Sequence, residues 1–239
     1  MTIFHYIILG VFITFALADH FGRRHDFPAI GYWRVTGVVS FILYFTIATF
    51  APFLWDEWLG ARQVFDGRDL PFWAQILVGF LVVEFAIYFW HRLMHAWDSL
   101  WRVTHQMHHA AERVDIWGAY YFHPVDMLGW ALLSSLSLVW IVGLTPEATV
   151  IVAVLTTIPG MFQHLNIRTP HWLGYLVQRP ESHLIHHQRG VHAWNYGDIP
   201  LPDMIFGTFR NPREWEGENG FHPGSTRQIG AMLIFRKIA

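Results

Sequence analysis

The stretch PFWAQILVGFLVVEFAIYFWHRLMH, residues 71–95, decides how this chain folds. Its first part, Pro71–Trp90, is apolar and long enough for a helix across a bilayer core, which needs about 20 residues. The run ends in His91 and His95, and residues four apart lie on the same face of a helix. The stretch therefore predicts a membrane helix that presents two imidazoles at one end.

Two further histidine clusters follow, HQMHH at residues 105–109 and HLIHH at residues 183–187. The three clusters together hold eight of the chain's 16 histidines, and imidazole is the commonest protein metal ligand. Neighbouring helical residues point about 100° apart, so the adjacent His108 and His109 are expected to serve different metals. The same reasoning applies to His186 and His187. The pattern predicts two metal ions in a histidine cage at a membrane face.

The composition is typical of a membrane protein. Hydrophobic residues make up 53% of the chain and charged residues 14%, with a mean hydropathy of +0.28. The net charge of −2 provides no basic field for binding nucleic acid. The chain has no cysteine, which excludes disulfides, thiolate zinc sites and iron–sulfur clusters. A metal site must therefore use nitrogen and oxygen ligands.

The apolar stretches predict an all-α integral-membrane bundle of about four to five helices, capped by a cytosolic dimetal site, in one domain covering residues 1–239. The first stretch lacks a basic start and a cleavage site, so we interpret it as an anchor and not a signal peptide. The last two stretches are joined by Leu144-Thr145-Pro146 and are expected to form a hairpin, which need not cross the membrane fully. The candidate membrane helices cover about residues 3–18, 35–55, 71–90, 125–143 and 147–165.

Several polar residues near these stretches are candidates for the site. Glu84 lies seven residues before His91 on nearly the same helical stripe, and a carboxylate inside a membrane helix is usually functional. It is placed to accept a hydrogen bond from a ligating imidazole; packing as a neutral group, or against another helix, is the alternative. His164 is a ninth candidate ligand. We interpret His123 and His192 as groups that support the ligands or face the substrate.

The histidine clusters alone leave the metal and the reaction open. All-nitrogen sites suit zinc, copper, iron or nickel. Two redox metals beside a membrane lipid favour O2 chemistry, whereas two zinc ions favour hydrolysis by an activated water. A zinc protease of the His-Glu-x-x-His type is not indicated, because that motif does not occur. A metal transporter would need polar groups across several helices, and these are scarce beyond Glu84.

A series of motifs runs in order from about Val83 to Pro212, over half of the chain. The motifs are Phe89-Trp-His91-Arg-x-x-His95, Leu100-Trp-x-x-x-His105-x-x-His108-His109, His123-Pro124, Gln163-His164-Leu-Asn166, Pro180-x-x-His183-x-x-His186-His187, Asn195-Tyr-Gly197 and Asp203-x-x-Phe-Gly-Thr208. With these motifs in this order, the sequence resembles the fatty acid hydroxylase/sterol desaturase superfamily of integral-membrane non-haem di-iron enzymes.

The resemblance implies a site with two iron ions, for which zinc is a possible substitute, and O2 as co-substrate. Asn195 matches a motif position near the site, and with Glu84 and His123 it is expected to support the ligands. The chain departs from the family at Tyr121, where arginine is frequent, and at Glu84, where many members have aspartate. The implied metal ligands are His91, His95, His105, His108, His109, His164, His183, His186 and His187.

The resemblance also implies a function. Members of the superfamily hydroxylate or desaturate unactivated C–H bonds of fatty acyl chains, sphingoid bases, sterols or ether lipids. They take two electrons from an external donor, here expected to be a cytochrome b5-like protein or a ferredoxin with its reductase. We therefore expect O2-dependent hydroxylation of a membrane lipid. The alternatives are a desaturase with the same site and a zinc-dependent membrane hydrolase.

The arginines predict the orientation of the chain in the membrane. The segment Asp56–Leu70 carries only Arg62 and Arg68, and cytoplasmic loops are enriched in Lys and Arg. This asymmetry predicts a multi-pass protein with the N-terminus outside and every histidine cluster on the cytoplasmic side. The resemblance, to a short member of the family, implies a bacterial inner membrane. The eight arginines on the predicted cytoplasmic side are Arg23, Arg24, Arg34, Arg92, Arg102, Arg113, Arg168 and Arg179.

We expect a reporter fused after Ala239 to read as cytoplasmic, and one inserted near Gly67 to read as external. The reason is the eight-to-two excess of arginine on the predicted cytoplasmic side. Paired activity reporters that are active on opposite sides of the membrane measure this directly. An external C-terminus would contradict the orientation and place the histidines away from a cytosolic electron donor.

Overall fold

The structure, a computed structural model, describes residues 3–238 and is built of helices joined by turns and loops. Within these residues the chain forms no strand, only one isolated bridge between Gln188 and Asn219. The prediction of an all-α fold is confirmed. In chain order the α-helices are α1 (Ile3–Phe21), α2 (Trp33–Phe50), α3 (Asp56–Gly60), α4 (Phe72–Ala96), α5 (Asp98–Val103), α6 (Gln106–His109), α7 (Pro124–Ser135), α8 (Pro146–Phe162), α9 (Pro180–His186), α10 (Pro200–Ile205) and α11 (Ile229–Leu233).

Four helical segments are long and apolar enough to cross a membrane. They are α1, α2 with the following 3-10 turn Ala51–Leu54, α4, and α7 with the π-helical segment Leu136–Ile141. Large apolar side chains such as Leu17, Val39 and Leu77 are more than half exposed on their outer faces. Extended apolar surface of this kind is rare on soluble monomers and suits contact with lipid. The four helices indicate a membrane protein.

Helix α4 places two of the histidine candidates. It follows Pro71 and continues for 25 residues to Ala96, so His91 and His95 lie in its last turns. Helix α8 has Pro146 at its first position and the Thr145 hydroxyl as its cap, and it ends at Phe162, just before His164. At 17 residues it is shorter than the four membrane-length segments.

The membrane helices pack through small residues and apolar clusters. Helix α8 packs against α1 and α4, and α2 packs against α7. Gly79 of α4 lies so close to Leu144 that a Cβ atom there would meet the leucine side chain at 2.6 Å. The short helices gather around the end of α4, since α5 follows it directly and α10 packs against it. The histidine-bearing segments are thereby brought to one end of the bundle.

We expect Gly37→Ala to destabilise the protein by about 1–3 kcal/mol, the usual cost of overpacking. Gly37 lies on α2, and a Cβ atom there would meet the main-chain oxygen of Trp117 at 2.5 Å, so the backbone itself must shift. Gly10→Ala on α1 is the matched control, because no described atom outside its own turn lies within 4 Å of that position. The melting temperature in detergent is the measurement. Equal melting temperatures for the two variants would contradict the close approach.

Candidate metal centre

All nine predicted histidine ligands come together in the structure. They form two groups, and within each group the candidate ligand atoms lie within 4.8 Å of one another. Eight of the nine side chains are buried, and His95 is half-buried. The five-histidine group consists of His91, His95, His105, His109 and His186. The four-histidine group consists of His108, His164, His183 and His187.

Adjacent histidines divide between the two groups. His109 and His186 belong to the five-histidine group, whereas their chain neighbours His108 and His187 belong to the four-histidine group. The groups are themselves adjacent, because the rings of His109 and His187 stack with their centroids 4.2 Å apart. This is the arrangement expected for neighbouring helical residues that point to two different metal positions.

Main-chain carbonyls fix the protonation of three imidazoles. A carbonyl oxygen can only accept a hydrogen bond, so each Nδ1 must carry the proton. In a neutral ring the Nε2 lone pair is then free, and it is available for a metal. At 2.8 Å in each case, His91 Nδ1 donates to Tyr196 O, His186 Nδ1 to Trp194 O and His164 Nδ1 to Gly160 O.

His105 uses a carboxylate for the same purpose. Its Nδ1 donates to Asp126 Oδ2 at 2.9 Å, and both side chains are buried. The Nε2 atoms of His105 and His91 then face each other at 2.9 Å with two lone pairs and no proton between them. Nε2 atoms of the four-histidine group also face one another, at 3.0–3.1 Å, and His164 contributes a free Nε2 lone pair to two of these contacts. A cation shared by such nitrogens is the partner that fits them.

Further nitrogen atoms of both groups are buried without a hydrogen-bond partner among residues 3–238. A buried polar atom left unpaired costs about 1–3 kcal/mol, so a set of them at one place calls for a ligand. The donor set is entirely nitrogen, which suits zinc, copper, iron or nickel. The residues present therefore fit two transition-metal ions. The unpaired atoms are both ring nitrogens of His95, His109 Nε2, His186 Nε2, and Nδ1 of His108, His183 and His187.

The environment keeps these imidazoles neutral. Burial, followed by the neighbouring imidazoles, lowers the pKa of His108, His109 and His187 well below the usual value. Burial lowers the pKa of His164 to about 4, against the opposing effect of its hydrogen bond to Gly160. Neutral imidazole is the form that binds metal, so the site needs no deprotonation at neutral pH.

A strained loop supplies two of the carbonyls. Trp194 and Asn195 have φ angles of 72° and 54°, a left-handed conformation that is uncommon for residues other than glycine. The carboxylate of Asp203 accepts from the Tyr196 and Gly197 amides at 2.9 and 2.8 Å and holds the loop in place. The Asn195 amide donates to the Ser182 carbonyl at 2.8 Å and ties the loop to α9. The two motifs that end the family-like series thus orient His91 and His186.

A buried ion pair positions α9, which carries His183 and His186 and is followed directly by His187. Arg179 and Glu181 are paired at 3.0 Å and are almost fully buried. Glu181 also accepts from the Thr169 amide and hydroxyl at 2.8 and 2.7 Å, and Arg179 donates to Asn211 at 2.7 Å. A buried pair is tolerated when its remaining donors and acceptors are satisfied, as they are here. Helix α9 is thereby tied to the loops on either side.

The structure places the other sequence candidates at different distances from the two groups. The ring of His192 lies beside the five-histidine group, 5.7 Å from the ring of His95. His123 caps α7 by accepting from the Val125 amide at 3.1 Å and is a member of neither group. Glu84 is fully buried, and in the described part of the chain its hydrogen bond comes from the Ile199 amide and not from an imidazole.

Sequence reasoning missed two carboxylates of the site. Asp126 could have been found, because it is an ionisable residue in an apolar stretch, three residues after His123. Asp198 accepts from the Gln163 amide at 2.7 Å, beside His164. Burial raises the pKa of Asp198 to about 7, although the hydrogen bond from Gln163 opposes the shift. No motif in the sequence indicates the contact between Gln163 and Asp198, since these residues are 35 positions apart.

We expect Asp126→Ala to lower stability by about 1–3 kcal/mol, because it leaves the buried Nδ1–H of His105 without an acceptor. Asp126→Asn should cost less, since the amide oxygen can still accept. Asp26→Ala is the control: this aspartate forms an exposed pair with Arg23, and such pairs contribute about 0–1 kcal/mol. Melting temperatures in detergent report the three effects. An Asp126→Ala variant as stable as the control would show that the pair does not hold His105.

Comparison with known proteins finds relatives that are similar to more than half of this chain. The chain is 31% identical over 147 residues to ornithine lipid hydroxylase OlsE of Rhizobium tropici, covering 59% of this chain and 44% of the relative. It is 28% identical over 165 residues to sphinganine C4-monooxygenase 1 of Arabidopsis thaliana, covering 65% and 62%. It is also 28% identical over 142 residues to very-long-chain aldehyde decarbonylase GL1-9 of Oryza sativa subsp. indica, covering 56% and 54%.

The chain thus spans about half of the length of these curated relatives. No solved structure matches it significantly. The family model for fatty acid hydroxylase matches residues 76–208, which is more than half of the chain and includes every histidine of the two groups. With its helical fold and its histidine-rich site, this chain belongs to the fatty acid hydroxylase family.

Proposed function

We propose that this protein is an O2-dependent hydroxylase of a membrane lipid, acting at a two-iron centre held by the nine histidines. The observation that carries the proposal is the pair of adjacent, all-nitrogen groups in which Nε2 atoms face one another, with both lone pairs free at His91 and His105. Family membership and lipid-hydroxylase relatives support an oxidoreductase acting on lipids. The proposal treats residues 1–239 as one catalytic domain, with the iron site on the cytoplasmic side of a bacterial inner membrane and electrons arriving from an external donor.

Bound iron would supply the activation of O2 that an unactivated C–H bond requires. The remaining tasks belong to residues of this chain. The carbonyls of Tyr196, Trp194 and Gly160, with the Asp126 carboxylate, keep the Nδ1 protons in place and the Nε2 atoms free. Helices α4 and α8 bring the site to apolar walls, which exclude bulk water and suit a lipid tail.

Two alternatives differ in what they would consume and produce. A desaturase with the same site would also need O2, but its product would lose two hydrogens and gain no oxygen. A hydrolase with zinc in the two groups would use a metal-bound water and would need no O2. Neutral nitrogen ligands bind both iron and zinc. The metal analysis and the isotope experiment described below distinguish the three reactions.

Anaerobically purified protein is expected to contain two iron atoms per chain, one for each histidine group. Zinc is expected to replace iron when it is available, because it binds nitrogen sites more tightly than Fe(II). His108→Ala and His186→Ala, one in each group, should lose metal and activity. His171→Ala should keep both, because this histidine donates to Asn211 O outside the groups. Elemental analysis and a turnover assay measure both properties.

At most one metal per chain under every preparation would contradict the two-metal centre. Equal losses in all three variants would indicate a folding defect and count against the assignment of roles.

The reaction itself is tested by isotope labelling. Membranes that contain the active protein should convert a long-chain lipid to a product heavier by one oxygen atom, with the label arriving from O2. Membranes containing the His186→Ala variant are the control. Mass spectrometry of the product separates the candidates: label from water indicates hydrolysis and overturns the proposal, and a loss of two hydrogens without label indicates desaturation.

A further inference from the structure

A cavity of about 110 Å³ adjoins the two histidine groups. It lies between α2, α4, α7 and α8, and five of the nine histidines form part of its wall. Val83, Ile87 and Leu133 provide apolar surface on the side of the membrane helices. This is the space in which a lipid would meet the metal centre, and most of its wall away from the histidines suits a hydrocarbon chain.

One corner of this cavity is polar. Asp198 and Gln163 both line it, and Gln163 Nε2 donates to Asp198 Oδ1 at 2.7 Å. The second carboxylate oxygen, Oδ2, faces Gly160, where a Cβ atom would stand 3.4 Å from it. Gly160 is one helical turn before His164, whose Nδ1 donates to its carbonyl. The polar corner is therefore one turn away from a candidate ligand of the four-histidine group.

The corner contains acceptor atoms that no donor of the described chain is bonded to. Gln163 Oε1 is buried and has no partner in the part of the chain that the structure describes. Asp198 uses Oδ1 for the Gln163 amide, which leaves Oδ2 to accept a further hydrogen bond. A hydrocarbon cannot satisfy either oxygen, and a buried acceptor without a donor costs about 1–3 kcal/mol. A ligand that carries a donor group would satisfy these oxygens, and a plain hydrocarbon would not.

We infer that Asp198 and Gln163 recognise a hydroxyl or protonated amine on the lipid substrate, close to the carbon that is oxidised. The inference rests on the proposed function and narrows its substrate class. The substrate would be oxidised near a polar group, and not at a position far along a plain hydrocarbon chain. Hydroxyl and ammonium groups share the chemistry the corner needs, since both donate hydrogen bonds to an amide or carboxylate oxygen.

The test uses the iron-loaded protein and three lipids of equal chain length. One carries a free hydroxyl at its polar end, one a primary amine, and one a methyl ether with no donor. Wild-type protein should prefer at least one donor lipid over the methyl ether by about tenfold or more in kcat/KM, because the ether leaves a buried acceptor without a donor. Anaerobic equilibrium binding of the same lipids, in which no turnover occurs, should show the same preference.

Asp198→Asn is the informative variant, because the side chain keeps its shape while an NH2 group replaces the free acceptor. The preference should fall to about threefold or less, through loss of affinity for the donor lipid and little change for the methyl ether. Gln163→Met removes the other acceptor and should act in the same direction. Asp66→Asn is the matched control, since this aspartate pairs with Arg68 on the exposed surface. Iron content and melting temperature establish that the variants are folded.

Each outcome decides the inference. An unchanged preference in folded Asp198→Asn and Gln163→Met would overturn it. So would wild-type protein that binds all three lipids equally, even if neither variant folds. The proposed function fails separately: donor-dependent binding without oxygen transfer from O2 would leave the recognition intact and refute the hydroxylase. Oxygen transfer from O2 without a preference for donor lipids would support the hydroxylase and refute the recognition by Asp198 and Gln163.

Discussion

The site depends on where protons lie on the imidazole rings. Each of four histidines donates its Nδ1 proton to a fixed acceptor, which is a main-chain carbonyl in three cases and Asp126 in the fourth. The Nε2 atoms are therefore lone-pair donors that converge in the interior. Burial keeps these rings from acquiring a second proton, as the lowered pKa of His164 illustrates. Geometry and protonation together define two positions for cations.

The rest of the structure serves to hold those acceptors still. Two carbonyls come from a loop with left-handed backbone at Trp194 and Asn195, which would not keep that shape without the Asp203 carboxylate and the link to α9. The third carbonyl belongs to α8, at Gly160. Asp126 stands in the first turn of α7. Each acceptor comes from an element that packs in the bundle or is tied to it, so the metal positions are linked to the packing of the membrane helices.

The packing of the membrane helices also determines where the site lies. Helix α4 is apolar for most of its length and carries ligand candidates only in its last turns. One cavity can therefore hold a lipid tail that lies along the membrane helices and bring it to the imidazoles at the end of α4. Its polar corner at Asp198 and Gln163 contains an amide oxygen, Gln163 Oε1, that has no partner in the described part of the chain. In the proposed function, this cavity wall would select the substrate and the histidines would hold the metal ions.

The sequence by itself determined the helical class, the approximate membrane segments and the histidines that meet. Hydrophobic length reveals a membrane helix, and spacing such as that of His91 and His95 shows which side chains share a face. The division of His108 from His109 also followed from helical geometry. These properties depend on residues close together in the chain, so a linear pattern contains them.

Only the tertiary structure decided which atoms support those histidines. Glu84 lies on the stripe of His91 but accepts from the Ile199 amide, whereas Asp126, from another helix, holds His105. The contact between Gln163 and Asp198 joins residues 35 positions apart. The packing of helices and loops determines such partners. The acceptors that orient His91 and His186 are main-chain carbonyls, which every residue has, so no residue type in the sequence indicates them. Main-chain geometry set by long-range packing is the physical reason that the sequence identified the candidate ligands but not the groups that support them.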